Sequence, residues 1–114
     1  MLPKINRVKK KKDFEEIFKN SKSLKNNIFV LKFAKNDLGI NRVGIVVSQK
    51  VSKRATIRNK IRRRLSEIIK KEINNIKSGV DLVFIALSSI EKKEFSEMAE
   101  SVKNALIKLN LVNK

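Results

Sequence analysis

Ile57-Arg58-Asn59-Lys60-Ile61-Arg62-Arg63-Arg64-Leu65 sets an apolar residue at every fourth position and fills the places between them with five cations and one Asn. The spacing, carried on by Ile68, is that of a helix with one face against a core. From Lys50 to Arg64 the chain holds eight basic residues and no acid. A disordered basic tail would lack the apolar rhythm, so this charge is mounted on a folded element. So much positive charge on a rigid element requires a polyanion, and nucleic acid is the natural candidate.

The rest of the composition agrees and prunes the alternatives. At 114 residues the chain reads as a single domain, residues 1–114, with room for one modest core, and its 28 Lys and Arg against 11 acids give a formal net charge of +17. Binding through phosphates would be steeply salt-dependent, because each neutralised phosphate releases counterion. There is no Cys and no His, which excludes zinc fingers, thiol nucleophiles, His bases and most transition-metal sites. Six Phe are the only aromatic surface for stacking. No apolar run approaches the roughly 18 residues of a membrane span, and the N-terminus lacks a signal-peptide core. A cytoplasmic protein with no membrane partner, no small-molecule substrate and no cofactor or metal of its own is expected.

Outward from the basic helix, the pattern alternates between helices and strands. Residues 1–12 are basic and nearly free of core residues (Pro3, Lys4, Arg7, Lys9, Lys10, Lys11, Lys12). Asp13, with Glu16 three residues on, reads as an N-cap opening a helix to about residue 20. Phe14, Ile17 and Phe18 share one face of that helix. Residues 21–27 read as a polar loop. Residues 28–34 alternate, with Phe29, Leu31 and Phe33 on a buried face and Ile28, Val30 and Lys32 on the other. After the turn residues Asn36-Asp37-Leu38-Gly39, residues 42–48 are apolar on both faces and read as a central strand. Residues 49–53 read as a third strand or a connection. The basic helix spans about 55–76 and is stopped by Ser78-Gly79. Residues 81–87 form a continuous apolar strand, and a final helix carries Met98, Val102, Leu106 and Leu109 at core spacing. The order α-β-β-(β)-α-β-α specifies an α+β fold, a two-layer α-β sandwich.

Winding the basic helix at about 100° per residue separates its roles. Ile57, Ile61, Leu65 and Ile68 face the core. Asn59, Arg62, Arg63, Ser66 and Lys70 gather roughly opposite, with Lys60, Arg64 and Lys71 on a flank. Arg58 falls near the apolar edge, where its stem is half-buried and its guanidinium held in place. Arg offers a planar fork to phosphate oxygens, and Asn can donate to phosphate or 2′-hydroxyl groups. The bland alternative is a solvated face, but such faces mix signs, and here Glu67 is the first acid after Asp37.

The run Arg54-Ala55-Thr56-Ile57-Arg58-Asn59-Lys60-Ile61-Arg62-Arg63 closely resembles the RNR signature of the bacterial ribonuclease P protein family. Arg7 with Lys9-Lys10, Asp13-Phe14, Phe18, Phe29-Val30-Leu31, Arg42-Val43-Gly44 and Val47-Ser48 match as well. The resemblance covers nearly the whole chain. It implies the small protein subunit of a ribonucleoprotein endonuclease that removes the 5′ leader of precursor tRNA. Its catalytic centre and magnesium ions (Mg2+) would lie in the RNA subunit, so this chain would hold no catalytic residue. The resemblance also implies a three-stranded start, order α-β-β-β-α-β-α, and a left-handed βαβ crossover (a ribosomal S5 domain 2-like fold), which handedness rules alone would not suggest. The partners implied are ribonuclease P RNA and precursor tRNA.

Carried onto this sequence, the resemblance assigns Arg58, Asn59, Lys60, Arg62 and Arg63 to the catalytic RNA, with Lys53 and Arg54 adding phosphate contacts. Lys60 replaces a common Arg, keeping charge but losing the bidentate fork. Ser66 replaces a further Arg, so a phosphate contact is missing there or supplied by Arg64 or Lys70. A second site, a cleft for the single-stranded leader, would use the faces of Phe14 and Phe18, phosphate contacts from Arg7, Lys10 and Lys12, and a floor of Val30 and Lys32. Lys32 stands where the family often has an aromatic. By composition alone, ordinary helix-to-sheet core is the favoured reading of Phe14 and Phe18; the resemblance reverses that preference.

Glu91, Glu94, Glu97 and Glu100 could suggest a cation site, but they sit at the start of a helix, where acids favour the dipole. A ribosomal or ribosome-assembly protein is the main alternative reading, and a helix-turn-helix DNA binder a weaker one, since strands flank the basic helix. With neither His nor Cys, the chain is a poor carrier of cleavage chemistry.

Overall fold

In the computed structural model the chain forms, in order, α1 (Lys11–Asn20), β1 (Lys22–Lys25), β2 (Phe29–Lys35), β3 (Arg42–Val46), α2 (Ala55–Glu72), β4 (Val80–Ala86) and α3 (Phe95–Lys108). The structure describes residues 6–8 and 10–112; Pro3, Lys4 and Lys9 of the basic N-terminal segment lie outside the described residues. The α-β-β-β-α-β-α order holds, but its first strand is not the one read from the sequence. Residues 22–25, expected in a loop, pair antiparallel with β2 from Lys22↔Phe33 to Lys25↔Val30. Residues 49–51 form a turn rather than a strand. β1 escaped notice because it lies at the sheet rim with only Leu24 against the core, so three of its four residues are polar and exposed.

The sheet order is β1-β2-β4-β3, with β4 antiparallel to β2 and parallel to β3. The continuous apolar strand β4 is therefore an inner strand, paired along both edges and buried on both faces. The expectation that residues 42–48 are central fails: β3 is an edge strand. It is apolar on both faces because helices cover both, and its outer edge takes a parallel bridge from Arg7 to Val43. Val8 donates to the Val43 carbonyl at 2.9 Å and is itself buried, so the N-terminal segment is not wholly free of core residues.

The two faces divide the core. Phe29, Leu31, Val43, Leu82 and Phe84 pack with Ile61, Leu65, Ile68 and Ile69 of α2 and with Met98, Val102 and Leu106 of α3. Phe29 and Phe84 meet edge to face at 5.3 Å. This sheet and its two helices make the sandwich. On the opposite face, α1 sets Ile17 and Phe14 against Val83, Val46 and Ile85. The α-helical part of α2 ends at Glu72, and a 3-10 turn, Ile73–Asn75, tightens its last carbonyls. Gly79, at φ +81°, then turns the chain into β4.

Asn41 ties these pieces together. It is buried, donates through Nδ2 to the carbonyls of Ile73 at 3.3 Å and Ile76 at 3.2 Å, and accepts the Val80 N–H at 3.1 Å. One side chain thus caps the end of the α2 segment and starts β4.

Candidate nucleic-acid interface

The core stripe of α2 is as read, with Ile61, Leu65 and Ile68 buried and Ile57 half-buried, but Ile69 is buried as well. The covered sector is therefore wider than the four-residue stripe. It takes in Ser66, only 6% exposed, and reaches Arg62, which is half-buried. Ser66 consequently does not belong to an outward contact row. Asn59, Lys60 and Arg63 are exposed on α2, and Lys53 and Arg54 are exposed just before it.

Of the half-buried arginines of α2 (Arg58, Arg62 and Arg64), Arg58 and Arg62 are held by backbone carbonyls. Arg58 donates from Nη1 to the Ser52 carbonyl at 3.0 Å. Arg62 donates from Nη2 to the Val47 carbonyl at 3.2 Å and from Nη1 to Asn59 Oδ1 at 2.6 Å. Both guanidiniums brace the link from β3 to α2, and Asn59 orients Arg62. Arg58, Asn59, Lys60, Arg62 and Arg63, with Lys53 and Arg54, thus form one basic surface whose geometry is partly fixed before any partner arrives.

The second candidate site is on the other face of the sheet. The Phe14 and Phe18 rings lie 6.3 Å apart, yet they differ in use. Phe14 is half-buried and rests on Gly44, where an added Cβ would stand 2.5 Å from the ring. Phe18 is 41% exposed, and Lys32 Nζ sits 6.0 Å from its ring centroid. Val30 and Lys32, alternating with the buried Phe29 and Leu31, form the half-buried floor. Lys10 and Lys12 are exposed at the N-terminal end of α1, and Arg7 is half-buried at the β3 edge. Arg7, Phe14, Gly44, Arg62 and Ser66 line one hollow of about 160 Å³, so the two basic surfaces adjoin.

Gly44→Ala is expected to displace the Phe14 ring and destabilise the fold by about 1–2 kcal/mol, as overpacking does. Urea unfolding checks it; an unchanged midpoint would show that the ring swings aside freely.

Asp13 does not cap α1. The helix begins two residues earlier, with Lys10 at the cap and no side-chain cap bond. Asp13 Oδ2 instead lies 3.4 Å from Arg42 Nη1. Arg42 donates to Asp81 in a bidentate pair, Nε to Oδ1 at 2.9 Å and Nη2 to Oδ2 at 2.8 Å. The hydrogen bond that Arg42 donates to Asp81 raises the Arg42 pKa from an already high value, against desolvation. On the alkaline side, that contribution to stability is lost only as pH rises through the strongly alkaline range. Sequence reading missed this group, although Arg42 and Asp81 each open an apolar strand and a buried charge must be paired.

Of the four acids expected at one helix start, Glu94 and Glu97 open α3, whereas Glu91 lies in the preceding 3-10 turn Ser88–Lys92 and Glu100 lies further along α3. Glu97 Oε1 accepts the Glu94 N–H at 3.3 Å, and Lys93 pairs with Glu97 at 3.7 Å. Among the described residues no three acids gather in a metal-holding group, and no helix is long and apolar enough to cross a membrane.

Comparison with known proteins gives one answer. The family model described as Ribonuclease P matches residues 2–110. The ribonuclease P protein component of Alkaliphilus oremlandii is 33% identical over 96% of this chain and 95% of its own length, and that of Clostridium botulinum 36% over 96% and 99%. The solved RNase P protein of Staphylococcus aureus aligns at a TM-score of 0.87 and 30% identity, covering 95% of this chain and 98% of the other. The Thermotoga maritima RNase P protein aligns at 0.80 and 36%, covering 88% and 94%. With the order of elements and the mixed four-strand sheet matching, the chain belongs to the bacterial ribonuclease P protein family and is a protein subunit of that tRNA-processing endoribonuclease.

Proposed function

We propose that the chain binds the catalytic RNA of ribonuclease P through the α2 surface and holds the single-stranded 5′ leader of precursor tRNA between α1 and the sheet. The observation that carries this reading is Phe18, a large apolar ring left 41% exposed over Lys32 on the sheet face that α1 covers. A ring serving only the core would be covered, as Ile17 is. Phe18 offers a stacking face to an unpaired base, while Lys10, Lys12 and Arg7 hold phosphates. Lys53, Arg54, Lys60 and Arg63 meet phosphates of the catalytic RNA, and Arg58 and Arg62 present the edges their carbonyl bonds leave open.

Neutralising both RNAs lets them approach each other, and gripping the leader adds affinity for precursor over product. Cleavage and its magnesium ions belong to the RNA subunit. This chain's residues bind, orient and screen charge.

The test adds purified protein to bacterial ribonuclease P RNA at low magnesium. Restored precursor cleavage is expected; no rescue, with tight ribosomal RNA binding instead, would support a ribosomal role. Arg58→Ala and Arg62→Ala are each expected to weaken assembly with the catalytic RNA and to lower the salt slope by about one unit. Titrations across salt concentration read both quantities, and an unchanged slope would remove the residue from the interface.

A further inference from the structure

We infer that Asp13 is a positioning residue for leader recognition: through Arg42 and buried Asp81, its carboxylate fixes α1 on the sheet and thereby sets Phe18 opposite Lys32. The inference rests on the leader reading proposed above.

Asp13 follows Lys10, Lys11 and Lys12, where charge complementarity to a polyanion would favour another cation. Its place in the first turn of α1 suits the helix dipole, but the structure gives it a directional partner. Arg42 cannot turn to follow α1, because two of its nitrogens are committed to Asp81. Asp81 is 4% exposed, and its Oδ1 also accepts a hydrogen bond from Asn36 Nδ2 at 2.7 Å. The tie therefore runs from β4, through Arg42, to the first turn of α1.

Apart from Lys32 over the Phe18 ring itself, α1 meets the sheet through apolar contacts, Ile17 on Val83 and Phe14 on Gly44. Apolar contacts hold a helix down without fixing its axial position, whereas an ion pair at one end does. One turn beyond Phe14 stands Phe18, and its distance from Lys32 depends on that position.

The sign of one measurement separates this role from simple charge. Removing an acid from a chain of net charge +17 should tighten binding to any polyanion if Asp13 acts only through its charge. Positioning demands the opposite. The full chain assembled with ribonuclease P RNA is titrated with precursor and mature tRNA. Asp13→Asn is expected to weaken precursor binding about three- to five-fold, the scale of a partly exposed ion pair, and to leave mature tRNA unchanged. Because the Arg42–Asp81 pair remains, the fold is retained. Asp13→Glu, which keeps a carboxylate, is expected to restore most of the affinity. Asp13→Asn combined with Phe18→Ala should bind no more weakly than Phe18→Ala alone, since both act through the same ring.

Tighter or unchanged precursor binding, or additive losses in the double variant, overturns the inference. If Phe18→Ala separates precursor from mature tRNA and Asp13→Asn does not, the positioning role alone is lost. If Phe18→Ala makes no such separation, the leader reading falls and the inference with it.

Discussion

Asn41→Ala is expected to lower the unfolding free energy by about 3 kcal/mol. The side chain makes three buried hydrogen bonds, each worth roughly 1 kcal/mol net, and its loss strands the Val80 N–H and the carbonyls of Ile73 and Ile76. No water can easily replace it, because the residue is only 8% exposed. Its own carbonyl also accepts from Asn6 Nδ2 at 2.7 Å, which the substitution leaves in place. Asn41→Asp should do no better: it keeps the acceptor for Val80 but aims a carboxylate at two carbonyl oxygens. Urea unfolding measures both. A loss under about 1 kcal/mol would mean that α2 and β4 are held together by apolar packing alone.

Phe18→Ala is expected to weaken binding of precursor tRNA by the assembled enzyme about tenfold while leaving mature tRNA unchanged. Stacking one base on an aromatic ring is worth roughly 1–3 kcal/mol, and the lower part of that range applies because Phe18 is only partly open. Thermal stability should change little, for the same reason that the ring is available: it is not filling the core. Equal losses for both tRNAs, or a large drop in stability, would return Phe18 to a packing role. Phe14→Ala should behave differently, since that ring rests on Gly44 and supports α1.

What was legible in the sequence follows from where periodicity and burial coincide. Ile57, Ile61, Leu65 and Ile68 announced the core face of α2, and Phe29 with Leu31 announced that of β2, because each faces one large apolar neighbour layer. β1 was illegible because a rim strand with Lys22 and Lys25 at its ends buries almost nothing. The two apolar faces of β3 suit a central strand equally well, because they cannot distinguish covering helices from flanking strands. Ser66 was put outward because its burial depends on Ile69 and the β3 edge, neither of which enters a four-residue stripe. Asp13 was read as a cap because local spacing says nothing of Arg42, 29 residues on. For the candidate sites, the residues of the basic helix were visible through their order, whereas the unequal roles of Phe14 and Phe18 depended on a glycine in another strand.

The position of β4 between β2 and β3 has a consequence for synthesis. β2 and β3 share no register with each other, and the strand that joins them is residues 80–86. A nascent chain that has emerged only through α2 can form the β1–β2 hairpin but no wider native sheet. The RNA-facing helix is therefore made before the surface on which it docks is complete, and its cations take their final places only when the last strand threads in.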